Sequence, residues 1–148
     1  MSESENKQRI QAVFSELARG NGQPFYELLA DDGEYIVKGS NSWAKTYVGK
    51  RSVSEELFGP LRQLLMRRPT TIAERFIADG DYVVVEARGD NLTKHGVPYQ
   101  NEYCFVIRMR EGRIQTFTEY ADTELVTRVL GPREVGNLLP NEVGDRKS

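Results

Sequence analysis

The chain has 148 residues, a formal net charge of −2, 39% apolar residues and 28% charged ones. That is one globular domain able to bury roughly two-thirds of its unfolded surface, with no basic field for nucleic acid and no apolar run long enough to span a membrane. A lone Cys104 rules out an internal disulfide, and with a single His beside it zinc has too few soft ligands, so neither metal nor cofactor is expected.

The polar start MSESENKQ lacks the basic-then-apolar layout of a secretory signal, which makes the cytoplasm the expected compartment. Ile10, Val13, Phe14 and Leu17 recur at helical spacing over residues 5–19, and Gly20-Asn21-Gly22 ends that run. A short helix with Pro24 in its first turn should turn Phe25, Leu28 and Leu29 inward, and Asp31-Asp32-Gly33 should break it. A strand over 34–38 and a loop rich in Gly, Ser and Asn follow. Residues 52–67 read as a helix with Val53, Leu57, Leu61, Leu64 and Leu65 on its apolar side, kinked or split at Gly59-Pro60. A strand over 70–78 leads into three more, DYVVVEARGDN, VPYQNEYCFVIRMR and RIQTFTEYADTELV, the last two joined by a Glu111-Gly112 turn. Residues 1–130 form the expected domain, and 131–148, rich in Gly, Pro and charge, an irregular tail. Helices first and a strand meander afterwards indicate an α+β fold with helices on one face of a curved sheet, and such a concavity favours a ligand site.

Charged residues punctuate the three-strand block. Glu86 and Arg88 are two apart and share a face, about 7 Å from one another along the strand, and Glu119 lies in the last strand. Facing inward, the three make an acid–base pocket; facing outward, an ion-pair cluster in water. With the turn at Glu111-Gly112, the inward set is expected to be Glu102, Cys104, Val106, Phe117, Glu119 and Ala121, which leaves Asn101, Tyr103 and Tyr120 on an outer, dimer-forming face. Cys104 reads as a small buried hydrophobe, and His95, at a hairpin tip, as solvated. Trp43 is either a lid over the pocket, a surface aromatic or a dimer contact.

LLADDGEYIVKGS, YVGKRSV, GDYVVVEARG and NEYCFVIRMREGRIQTFTEYADTELV resemble the SnoaL-like, ketosteroid-isomerase-related branch of the nuclear transport factor 2 (NTF2) superfamily over about residues 5–130. The resemblance implies a cone: a curved antiparallel sheet wrapped around a helix layer and enclosing a pocket, in a homodimer. It also implies that true ketosteroid isomerase chemistry is absent, because the isomerase's oxyanion-binding Tyr, proton-shuttling Asp and second oxyanion acid fall on Phe14, Val37 and Cys104. These three become pocket-lining candidates alongside Trp43 and Phe117. Limonene epoxide hydrolase, another relative, implies a different set, with Tyr35, Glu86, Arg88 and Glu119 at its site positions and the Arg and one acid exchanged. In that arrangement Glu119 is the base, Glu86 the acid and Arg88 the orienting group.

The expected function is binding of a small hydrophobic metabolite, with cofactor-independent hydrolysis or isomerisation as candidate chemistry. A non-catalytic binder and a protein-association module of the same fold are the alternatives.

Overall fold

A capping box opens the first helix: the Ser2 hydroxyl accepts from the Glu5 N–H, and the Glu5 carboxylate accepts from the Ser2 N–H. The helix, α1 (Glu3–Leu17), buries Asn6, Ile10, Val13 and Phe14 along one stripe, the 3.6-residue period visible in the sequence. It belongs to a computed structural model that describes residues 2–134. Pro24 sits in the first turn of α2 (Gln23–Leu28), and Phe25 is buried. The expected break at Asp31-Asp32-Gly33 does not occur. The chain passes directly into β1 (Leu29–Val37), which accommodates the polar residues in a bulge between Leu29 and Glu34. Gly33 is required there, since a Cβ would stand 2.9 Å from the Ala30 carbonyl oxygen.

After the edge strand β2 (Thr46–Val48), residues 50–64 form one helical run: α3 (Lys50–Ser52), a π-helical segment Val53–Phe58, and α4 (Gly59–Leu64). The π segment is how the chain accommodates Gly59-Pro60. Pro60 has no N–H to close an α-helical turn, and the wider turn places the Gly59 N–H on the Ser54 carbonyl instead. Among the described residues no helix is long and apolar enough to cross a membrane.

The strands β3 (Thr71–Asp79), β4 (Tyr82–Gly89), a small hairpin of β5 (Asn91–Leu92) and β6 (Pro98–Tyr99), then β7 (Glu102–Arg110) and β8 (Arg113–Ala121) complete the sheet region. Six strands lie in the order β2-β1-β8-β7-β4-β3, curved and unclosed. All pairings are antiparallel except β1 with β8, which is parallel. The Glu111-Gly112 turn is present, with Glu111 at φ 52° and Gly112 at φ 77°, the two positive φ values of a tight hairpin turn.

Two bulges decide which side chains face the helices. Met109 pairs with Ile114 but Arg108 pairs with Thr116, so Gln115 is an extra residue in β8. Ala73 pairs with Ala87 but Arg75 pairs with Glu86, so Glu74 is extra in β3. The concave face consequently carries Val83, Val85 and Ala87 from β4, Phe105, Ile107 and Met109 from β7, and Ile114 and Phe117 from β8, all buried. Phe117 is the hub. Its ring centroid lies 4.8 Å from Phe105, 4.9 Å from Tyr35 and 5.0 Å from Phe25, the spacing at which aromatic pairs add to plain burial.

Beyond β8, Asp122 caps α5 (Thr123–Leu125), and a π-helical segment Val126–Leu130 follows. The first residues of the expected tail return to the body. The Gly131 carbonyl accepts from Trp43 Nε1 at 2.8 Å, and Arg133 Nη1 donates to the Glu56 carbonyl at 3.1 Å with its guanidinium over the Tyr47 ring. The remainder of that tail, 135–148, lies outside the described residues.

Candidate functional site

The helices and the concave face of the sheet enclose a cavity of about 330 Å³, at the lower end of the range for small-molecule sites. Phe14 of α1, Phe25 of α2, Phe58 and Leu61 of the helical run, and Phe105 and Phe117 of the sheet make its apolar wall. Gln23, Arg62 and Arg68, all exposed, form part of its rim. A smaller chamber of about 60 Å³, lined among others by Val37, Trp43 and Leu130, lies on the other side of a polar waist. Tyr35, Tyr99, Tyr103 and Glu119 border both spaces.

Glu119 and Tyr35 come together as the sequence suggested. The parallel β1–β8 register sets Val37 beside Glu119 and Tyr35 beside Phe117, and the Tyr35 hydroxyl donates to Glu119 Oε1 at 2.6 Å. Burial among aromatic rings raises the Glu119 pKa, and the bond from Tyr35 opposes that rise. Burial raises the Tyr35 phenol well above its ordinary value, reinforced by the Glu119 charge and by the bond the phenol donates. Among the described residues Glu119 Oε2 has no hydrogen-bond partner, and it is not fully buried. The carboxyl group therefore has one oxygen anchored and one open to the cavity, the disposition a proton acceptor needs.

Phe14 and Phe117 line the main cavity, and Val37 and Trp43 the smaller chamber. Trp43 is 3% exposed, so it is not a surface aromatic; it forms a wall of the smaller chamber and donates through Nε1 to the Gly131 carbonyl.

Glu86, Arg88 and Cys104 do not reach the site. Cys104 pairs with Glu86, and Glu102 with Arg88, on the convex face of the sheet. There Arg75 Nε bonds Glu86 at 3.0 Å and Arg88 Nε bonds Glu74 at 3.4 Å, all four side chains at least half exposed. The two-carboxylate, one-guanidinium set implied by the epoxide hydrolase resemblance is not assembled, so Glu86 cannot be the acid nor Arg88 the orienting group. Cys104, half-buried on that face, lines neither space. For Cys104 the Gln115 bulge is the reason. An unbroken hairpin would set Cys104 opposite Glu119, whereas the extra residue sets Phe105 there and turns the expected inward set of β7 outward. The same shift brings in Tyr103, expected outside. Asn101, likewise expected on the outer face, is fully buried beside Tyr99. One signal in the sequence pointed to the bulge: the buried Ile114 and Phe117 are three residues apart where strict alternation allows two or four.

A family model for the SnoaL-like domain matches residues 10–117. No curated protein matches the sequence. Among solved structures, an NTF2-like protein from Burkholderia pseudomallei K96243 is 20% identical, with 87% of this chain and 98% of that one covered and a TM-score of 0.74. One from Burkholderia xenovorans LB400 is 23% identical over 87% and 98%, with a TM-score of 0.67. TerC, co-crystallised with polyporic acid, is 18% identical over 85% and 98%, with a TM-score of 0.73. Identities this low establish a shared fold and no shared activity. Because the family match spans most of its length and its architecture is that of these structures, the chain belongs to the SnoaL-like domain family and has the NTF2-like fold.

Proposed function

We propose that the protein binds a small hydrophobic carbonyl compound in the aromatic cavity and that Glu119 removes a proton from the carbon next to the carbonyl. The observation that carries this reading is Glu119 itself, a carboxyl group anchored at one oxygen by Tyr35 and open at the other to an apolar cavity. Desolvation makes such a carboxylate a stronger base than one in water, bringing it closer to the pKa that acid–base catalysis at neutral pH favours. With Glu86 and Arg88 outside, water activation by paired acids loses its parts, and proton transfer by a single carboxylate remains. This is the class of step used in isomerisation and in aldol-type ring closure. That TerC, of the same fold, was co-crystallised with a small organic acid, polyporic acid, supports a small-molecule reading. The reading needs no cofactor.

A homodimer is part of the same proposal. On the convex face Ile77, Val84, Val106, Thr118 and Ile36 form a row across five paired strands. Such a stripe suits a second copy of the chain.

The test uses β-tetralone, an apolar bicyclic ketone with an acidic C–H. Wild-type protein should accelerate deuterium incorporation at the α-carbon in D2O, followed by proton NMR. Glu119→Gln should abolish that acceleration while thermal stabilisation by the ketone persists. Equal exchange in the variant would discard Glu119 as the base. Binding without exchange in the wild type would assign the protein as a non-catalytic binder.

A further inference from the structure

We infer that Tyr99 is the hydrogen-bond donor to the ligand's carbonyl oxygen, its proton directed into the cavity by Asn101. The inference rests on the proton-abstraction reading above and supplies that reaction's missing partner, a group to hold the charge that develops on oxygen.

The argument runs through the direction of each hydrogen bond. Asn101 is 0% exposed. Its Oδ1 accepts from the Glu102 backbone N–H at 2.7 Å and the Asp122 backbone N–H at 3.0 Å. Backbone N–H groups only donate, so the carbonyl end of the amide is identified by chemistry and the NH2 end must lie opposite. That NH2 donates to the Asp122 carbonyl at 3.2 Å and to Tyr99 Oη at 2.9 Å. All four hydrogen-bonding positions of the amide are used, which locks its orientation.

An NH2 group cannot accept, so Tyr99 is the acceptor in that bond and its own proton has to go elsewhere. Among the described residues the phenol proton has no protein acceptor, and Tyr99 lines both the main cavity and the smaller chamber. Incoming bonds polarise an O–H and strengthen it as a donor. Burial raises the Tyr99 pKa, which keeps that proton in place at neutral pH.

Glu119 borders the same waist. A ligand whose carbonyl oxygen accepts from Tyr99 can present its α C–H to Glu119 Oε2. The C–H bond breaks, its electron pair forms the C=C bond, the carbonyl π pair moves to oxygen, and the proton goes to the carboxylate. Tyr99 then holds an enolate oxygen, the moment at which a preorganised donor contributes most. Return of the proton to carbon closes the cycle without oxidant or reductant. Tyr99 is thereby a catalytic residue, and Asn101 a positioning residue that acts through it.

The deciding experiment compares β-tetralone with tetralin, which matches it in shape but has no carbonyl, using wild type, Tyr99→Phe, Tyr103→Phe and Asn101→Asp. In the wild type the ketone should bind at least about tenfold more tightly than the hydrocarbon, near the 1.4 kcal/mol that a tenfold ratio represents. Its infrared carbonyl stretch should fall on binding. Tyr99→Phe should collapse the ratio and restore the stretch, leaving tetralin affinity unchanged. Asn101→Asp keeps the size of the side chain but places an acceptor at Tyr99, so the phenol should turn back onto the carboxylate and the ratio collapse with the hydroxyl still present. Should that variant fail to fold, Tyr99→Phe decides alone. A ratio and stretch untouched by Tyr99→Phe, or abolished only by Tyr103→Phe, would overturn the assignment while leaving Glu119 as the base. Failure of the wild type to bind either probe would overturn both proposals together.

Discussion

Tyr35 and Glu119 are 84 residues apart in the chain, and the Tyr35 hydroxyl donates to the Glu119 carboxylate at 2.6 Å. The parallel pairing of β1 with β8 makes the contact possible, and the short distance is that of a charge-assisted O–H···O bond. Because burial raises the carboxyl pKa while this bond lowers it, substitutions at the two residues should have separable effects.

The folded protein holds the Glu119 proton more tightly than the unfolded chain does. The associated stability is complete below the ordinary carboxylate value, is lost as pH rises through the raised one, and is absent above it. Glu119→Gln removes this titration and keeps an acceptor for Tyr35. The melting temperature of the wild type should therefore fall relative to that of the variant across that window, leaving the variant the more stable at neutral and alkaline pH. Calorimetry at a series of pH values checks this; parallel curves would show that Glu119 does not titrate as described. The deuterium-exchange rate should rise over the same window, since the base acts only when ionised.

Tyr35→Phe deletes the one bond that, among the described residues, stabilises the carboxylate, at a cost of about 1.5–3 kcal/mol above the Glu119 pKa, as for other bonds to a charged group. The pH window should also move upward, because the influence opposing desolvation has gone. Urea denaturation at neutral pH gives the first quantity and carboxyl carbon NMR the second. An unchanged window would mean the hydroxyl is not coupled to Glu119.

The convex-face ion pairs should matter little. A double-mutant cycle on Arg88 and Glu74, half-exposed and 3.4 Å apart, should give a coupling below about 1 kcal/mol that declines further with added salt. The Arg75–Glu86 pair should behave likewise. A coupling of several kcal/mol would return these residues to the candidate site.

Val106 occupies the middle of the convex-face row, paired with Val84 on one side and Thr118 on the other. Val106→Glu should place a charge where a second copy would pack. Light scattering should then fall from twice the 16.9 kDa chain mass to the single value. A wild type already at 16.9 kDa would dispose of the dimer.

The sequence by itself determined the α+β architecture, because hydrophobic period and turn chemistry are local quantities. The stripe of Ile10, Val13 and Phe14, Pro24 in its first turn, and the Glu111-Gly112 hairpin were all readable, and all are present. It also singled out Tyr35 and Glu119. Which face each strand residue occupies was decided only in three dimensions. Side chains alternate with a period of two, so one extra residue reverses every position beyond it; the Gln115 bulge did this, sending Cys104 out and Tyr103 in. For Glu86 and Arg88 the sequence left both faces open; the structure buries their neighbours Val85 and Ala87 and so turns them outward, against the arrangement the resemblance to a relative's site implied. The Asn101–Tyr99 bond was invisible for a further reason: a buried amide is recognised by what closes its hydrogen bonds, and its partners at Asp122 come from a segment 21 residues away. Local preference fixes which elements form; pairing register and long-range polar closure fix what the pocket contains.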